Sequence, residues 1–222
     1  MGTQAIDIKS DNFRFFFSFV FALFILLFYE VIYFLRFLTD LILLPFTLLH
    51  EFGHYFSAIL LLPSCNPQIY TNFGDNGVSY AQLSTNGLPI CLNSVLVMVA
   101  GSFILLICIL GVLFISRGRK SPPYLILRNL LLFVLLSDLP NLFPILPTYL
   151  GALSDGYSAW IYLHVLISLP FPTMEFSVIW SSFASIMIIF SYYCLGLTIY
   201  HLITYLSPKF QLQPQKTTEN VT

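Results

Sequence analysis

Charge is what this chain has least of. Only 9% of its 222 residues are Asp, Glu, Lys or Arg, against about 25% in a soluble domain. Hydrophobic residues make up 58% and the mean hydropathy is +0.86, so a soluble fold of this size has nowhere to hide its apolar surface. Basic clusters are also missing. The nine Lys and Arg are scattered and the net charge is −1, which argues against a nucleic-acid surface built from grouped cations. The four cysteines, Cys65, Cys91, Cys108 and Cys194, have no CxxC spacing, so a thiolate metal site is not expected. Cys65 and Cys91 flank one polar loop, but reduced thiols are the default expectation. No small-residue cleavage site follows the apolar run from Phe15 to Tyr29, which therefore reads as a retained helix, not a signal peptide. No internal repeat is visible, which weighs against a transporter built from corresponding halves. The cations also lack the loop asymmetry that would set an orientation.

What the chain does have is long apolar runs. A membrane-crossing helix needs about 20 apolar residues, and the runs predict helices near 13–36, 41–63, 89–116, 124–147, 149–169 and 176–206. The expected fold is an all-α polytopic membrane protein of about six transmembrane helices, multi-pass in a lipid bilayer. Residues 1–12 and 208–222 read as polar ends, and 13–207 as a single transmembrane domain. The short break from Arg36 to Asp40 predicts a tight turn between the first two helices. Between Ser64 and Leu88, two short alternating segments flank Gly74-Asp75-Asn76-Gly77. Asn-Gly tolerates positive φ at both positions, so a short β-hairpin is expected there.

One apolar run contains His50-Glu51-Phe52-Gly53-His54. On a helix the two histidines stand four residues apart and share a face, so both imidazoles can reach one metal ion. The carboxylate of Glu51 beside them suits a general base that takes a proton from metal-acidified water. Gly53 leaves one side of the helix bare for a close neighbour. With four His and four Glu in the chain, the three fixed positions arise by chance about once in a thousand sequences of this length. Such groups are costly in lipid and functional by default.

A catalytic zinc takes three protein ligands and keeps one open position, so a third ligand must come from elsewhere. Asp138, Asp155, Glu30, His164 and His201 are the ionisable residues at suitable depth. Asp155 follows a run with three prolines, Pro140, Pro144 and Pro147, which must open the helix ladder. Irregular backbone at that depth belongs beside a wet cavity. The same prolines and the loop from Ser64 to Leu88 are the expected route for water.

The HEFGH segment, followed by Asn141-Leu-Phe-Pro144 and then Ser154-Asp155-Gly156, resembles the site-2 protease family of intramembrane zinc metalloproteases, particularly small members without an appended domain. The resemblance covers roughly residues 41–160. It implies His50, His54 and Asp155 as Zn²⁺ ligands, Glu51 as general base and Asn141 as a residue that positions the substrate. The implied partner is a transmembrane protein substrate. Two departures stand out: Ser-Asp-Gly replaces the common Leu-Asp-Gly, and the gap from Pro144 to Asp155 is long, which keeps Asp138 as a rival third ligand. Three readings follow: an intramembrane metalloprotease, a binding or chaperone-like protein that kept the fold without turnover, and a transporter.

Overall fold

The computed structural model describes residues 11–28, 33–73, 79–84, 87–144, 154–170 and 174–206. Among these are six α-helices: α1 (Asp11–Phe28), α2 (Tyr33–Leu61), α3 (Leu92–Ile115), α4 (Pro122–Asp138), α5 (Asp155–Ile167) and α6 (Met174–Leu206). Two strands, β1 (Gln68–Phe73) and β2 (Ser79–Ser84), pair antiparallel between α2 and α3, from Gln68 opposite Ser84 to Phe73 opposite Ser79. The Asn76-Gly77 turn expected to join them falls outside the described residues.

Four stretches are long and apolar enough to cross a membrane: Asp11–Phe28, Leu92–Ile115, Pro122–Leu142 and Val178–Leu206. Their outward faces are bare hydrocarbon, with Phe114 and Ile115 each 74% exposed and Leu27 72% exposed. A water-soluble monomer rarely carries apolar patches on that scale. The other two helices differ for separate reasons. Asp40, His50, Glu51 and His54 dilute the apolar run of α2. The 13 residues of α5 extend only about 20 Å at 1.5 Å per residue, short of a hydrocarbon core of about 30 Å.

The helix limits depart from the sequence reading at two places. The expected break at Arg36 to Asp40 lies inside α2, which runs unbroken through those residues. That pentapeptide holds neither Gly nor Pro, and its charges alone do not interrupt a helix ladder. Residues 29–32, between α1 and α2, lie outside the described residues. The fourth helix also ends earlier than expected, at Asp138, just before Pro140, which has no N–H to give to the ladder. The chain tightens into a 3₁₀ turn over Leu139–Leu142 before extending at Phe143. Residues 145–153, which the reading divided between its fourth and fifth helices, lie outside the described residues.

The helices pack as neighbours in two groups. α4 lies against α6, which also holds α1, while α2 lies along α3, and α3 touches α5. The main core joins Leu105 and Ile109 of α3, Leu131, Phe133 and Val134 of α4, and Leu195 of α6. A smaller core of Ala58, Leu62, Cys65 and Val97 sits at the strand end of α2. All four cysteines are free thiols.

Candidate metal centre

The centre forms where α2 and α3 come closest. Gly53 and Gly101 face each other so tightly that a Cβ on Gly53 would lie 2.8 Å from the Gly101 Cα and 2.9 Å from the Ala100 carbonyl oxygen. The bare side of the HEFGH helix is thus filled by α3. Gly101 in turn leaves room for the imidazoles: a Cβ there would overlap the His54 ring and lie 2.8 Å from His50 Nε2. Both histidines are buried, and the Glu51 side chain is half-buried beside them. Side-chain atoms of His50, Glu51 and His54 all lie within 4.8 Å of one another, a group that could hold a metal ion.

Asp155 arrives from the far side. Its position is set by the start of α5, where Ser154 is the N-cap and accepts a hydrogen bond from the Tyr157 amide at 3.1 Å. The same hydroxyl donates to the Phe143 carbonyl at 2.7 Å. Gly156 completes the junction, since any Cβ there would overlap the Leu142 carbonyl and lie 2.7 Å from the carbonyl carbon of Phe143. The proline-broken segment and the first turn of α5 are therefore locked together. This brings Asp155 Oδ2 to 3.0 Å from His50 Nε2 and 3.3 Å from His54 Nε2. The two Nε2 atoms are 2.9 Å apart.

The outer nitrogens of both rings are already committed. His54 Nδ1 donates to the Val97 carbonyl at 2.6 Å, because a carbonyl can only accept. His50 Nδ1 donates to Asp138 Oδ1 at 2.9 Å, and Asn141 Nδ2 donates to the same carboxylate oxygen at 3.2 Å. In the neutral imidazoles the protons therefore reside on Nδ1, and both Nε2 atoms carry lone pairs. Those lone pairs point at each other and at a carboxylate oxygen. Three acceptors within 3.3 Å repel unless a proton or a metal cation sits among them.

Asp155, and not Asp138, shares the inner triangle with the two histidines. Asp138 meets His50 on the opposite edge of the ring. Asn141 joins the cluster through Asp138. His164 lies elsewhere, its Nδ1 donating to the Leu169 carbonyl past the end of α5. His201 sits near the end of α6 against Tyr200, and Glu30 lies outside the described residues. Sequence reasoning missed three contributors. Val97 acts through its backbone oxygen and leaves no letter to read. Asp138 was weighed only as a rival ligand. Gly101 had a usable signal, the small-residue run Ala100-Gly101-Ser102 inside a helix of Leu, Ile and Val, which marks close helix approach in membranes.

A cavity of about 190 Å³ opens beside the triangle, between α2 and α4. His50, Glu51, Asp138 and Asn141 form its polar end. It touches the proline-rich segment at Asn141. Side chains of residues 70–86, in the other part of the expected water route, lie outside the described residues. No family model, curated protein or solved structure matches this chain.

Proposed function

We propose that the protein is an intramembrane zinc metalloprotease of the site-2 protease type. It hydrolyses peptide bonds in or near the transmembrane segments of membrane-protein substrates. In this reading the chain is multi-pass, with α2 and α5 lying among the four apolar helices and completing six membrane segments. The observation that carries the reading is the convergence of three ligand atoms on one point, with an acceptor waiting at the outer nitrogen of each ring. Four-coordinate zinc with ligands at about 2.0–2.1 Å separates neighbouring ligand atoms by roughly 3.3 Å. The observed separations of 2.9, 3.0 and 3.3 Å need open by only a few tenths of an ångström to accept it.

His50, His54 and Asp155 would hold the ion, leaving a fourth position for water or substrate. Zinc there would polarise a scissile carbonyl and acidify a water molecule. The remaining chemistry belongs to side chains. Glu51 takes the water's proton and passes it to the leaving amine. Asp138 and the Val97 carbonyl hold the imidazoles in the tautomer that leaves Nε2 bare. Asn141, tethered to Asp138, stands at the cavity where substrate backbone would be positioned. A helical substrate hides its carbonyls and must unwind, and the strand pair beside α2 offers an edge to which an extended segment can add.

The test compares wild type, Glu51→Gln and His54→Ala, purified in detergent, for zinc content and for cleavage of single-span membrane substrates. Glu51→Gln should keep zinc and lose cleavage, and His54→Ala should lose both. Full cleavage by Glu51→Gln would remove the proposed base and with it the reading.

A further inference from the structure

The cavity beside the triangle has two ends of different chemistry, and the hydrolytic reading uses only one of them. From the polar end it runs back along α2 to Phe46 and Leu43, one and two turns before His50. Its other walls there are Leu105, one turn beyond Gly101 on α3, and Val134, one turn before Asp138 on α4. Leu105 and Val134 are 2% and 1% exposed and belong to the main core, so the apolar end is walled by packed side chains. Two hydroxyls flank the passage, and neither needs a partner from a guest. Thr47 donates to the Leu43 carbonyl at 3.2 Å and Ser137 to the Phe133 carbonyl at 2.8 Å, each within its own helix.

We propose that this apolar end is the specificity pocket, and that it takes one aliphatic side chain of leucine size from the residue next to the scissile bond. The assignment rests on the protease reading above. The cavity's 190 Å³ equals about six water volumes at roughly 30 Å³ each. That is too little for a drug-sized ligand, which needs about 300 Å³ or more. It is enough for a four-carbon branched side chain together with the peptide group that presents it. Phe46 and Leu43 set the depth of the pocket, and Val134 its width. The pocket lies on the side of His50 away from the strands. A substrate segment held at the strand edge would therefore reach the triangle first and send one side chain beyond it.

The experiment uses the full chain in proteoliposomes with single-span peptides that differ only at the two residues flanking the cut, varied in turn among Ala, Leu and Phe. Cleavage of mixed peptides is read by mass spectrometry, so each variant supplies its own internal ratio. Wild type should prefer Leu at one of the two positions. Phe46→Ala deepens the pocket and should raise the Phe-to-Leu ratio about tenfold or more, the usual worth of a methylene-scale change in an apolar pocket. Val134→Leu narrows it and should raise the Ala-to-Leu ratio by a similar factor. Zinc content shows whether each variant has assembled, and where one has not, the other decides the matter. Leu110→Ala, on the outward face of α3, should leave all ratios unchanged. If wild type cleaves while both pocket variants keep its ratios, the pocket assignment falls and the protease reading stands. If wild type cleaves nothing, or Glu51→Gln cleaves as well as wild type, both fall together.

Discussion

Gly101→Ala tests the centre with a single methyl group. The new Cβ would overlap the His54 ring and stand 2.8 Å from His50 Nε2, whereas carbon contacts are comfortable near about 3.5 Å. His50 must therefore retreat by roughly 0.7 Å and His54 by more, well beyond the deviation of about 0.2 Å that a metal site tolerates. They cannot swing away freely. His54 is tied to the Val97 carbonyl at 2.6 Å and His50 to Asp138 at 2.9 Å. Overpacking of this kind costs about 1–3 kcal/mol, which corresponds to roughly 5- to 150-fold weaker metal binding. The assay is zinc retained by purified protein against a graded series of chelator concentrations, with circular dichroism to follow helix content. Gly111→Ala is the matched control, because a Cβ at Gly111 meets nothing within 4 Å and Ala is the better helix former. Should Gly101→Ala hold zinc as tightly as wild type while Gly111→Ala behaves as expected, the proposed position of the ion is wrong.

Two further outcomes follow from the groups around the triangle. Asp138→Asn should weaken zinc binding by about 10- to 100-fold, the usual cost of losing an outer-shell carboxylate. The same chelator titration would show this, and an unchanged affinity would mean that Asp138 does not orient His50. Ser154→Ala removes both the N-cap of α5 and the bond to the Phe143 carbonyl, so thermal stability in detergent should fall by about 1 kcal/mol, within the range for lost caps. A fall in zinc retention should accompany it, since Asp155 is the next residue. Stability lost with zinc binding intact would detach the cap from the metal centre.

The parts of the site legible in the sequence were those that a letter and a period encode. Two histidines four apart on an apolar helix must share a face, so the pairing of His50 with His54 was readable directly. Asp155 became a candidate because prolines open the backbone before it and because of a family resemblance. What no letter encodes is which oxygen meets which nitrogen. The contrast between Asp155 inside the triangle and Asp138 behind His50 comes from the clamp of Ser154 and Gly156 on Leu142 and Phe143. The existence of the helices was legible from apolar run length, whereas their ends were not. Arg36 to Asp40 looked like a break because it is polar, yet charge alone does not break a helix ladder. Proline is not decisive either: α4 gives way to a 3₁₀ turn at Pro140, whereas α2 carries Pro45 within it.

The position of Asp155 in the chain has a consequence for how the protein is made. The first corner of the triangle, His50, is synthesised 105 residues before the third. α2 and α3 can meet through Gly53 and Gly101 as soon as both are made, which brings the two imidazoles together while α5 is still unmade. During that interval the nascent bundle has two corners and no third. The group closes only when Asp155 has been made and α5 has docked on the segment after α4. A copy made only as far as α4 therefore lacks the complete centre, whatever its two histidines have already done.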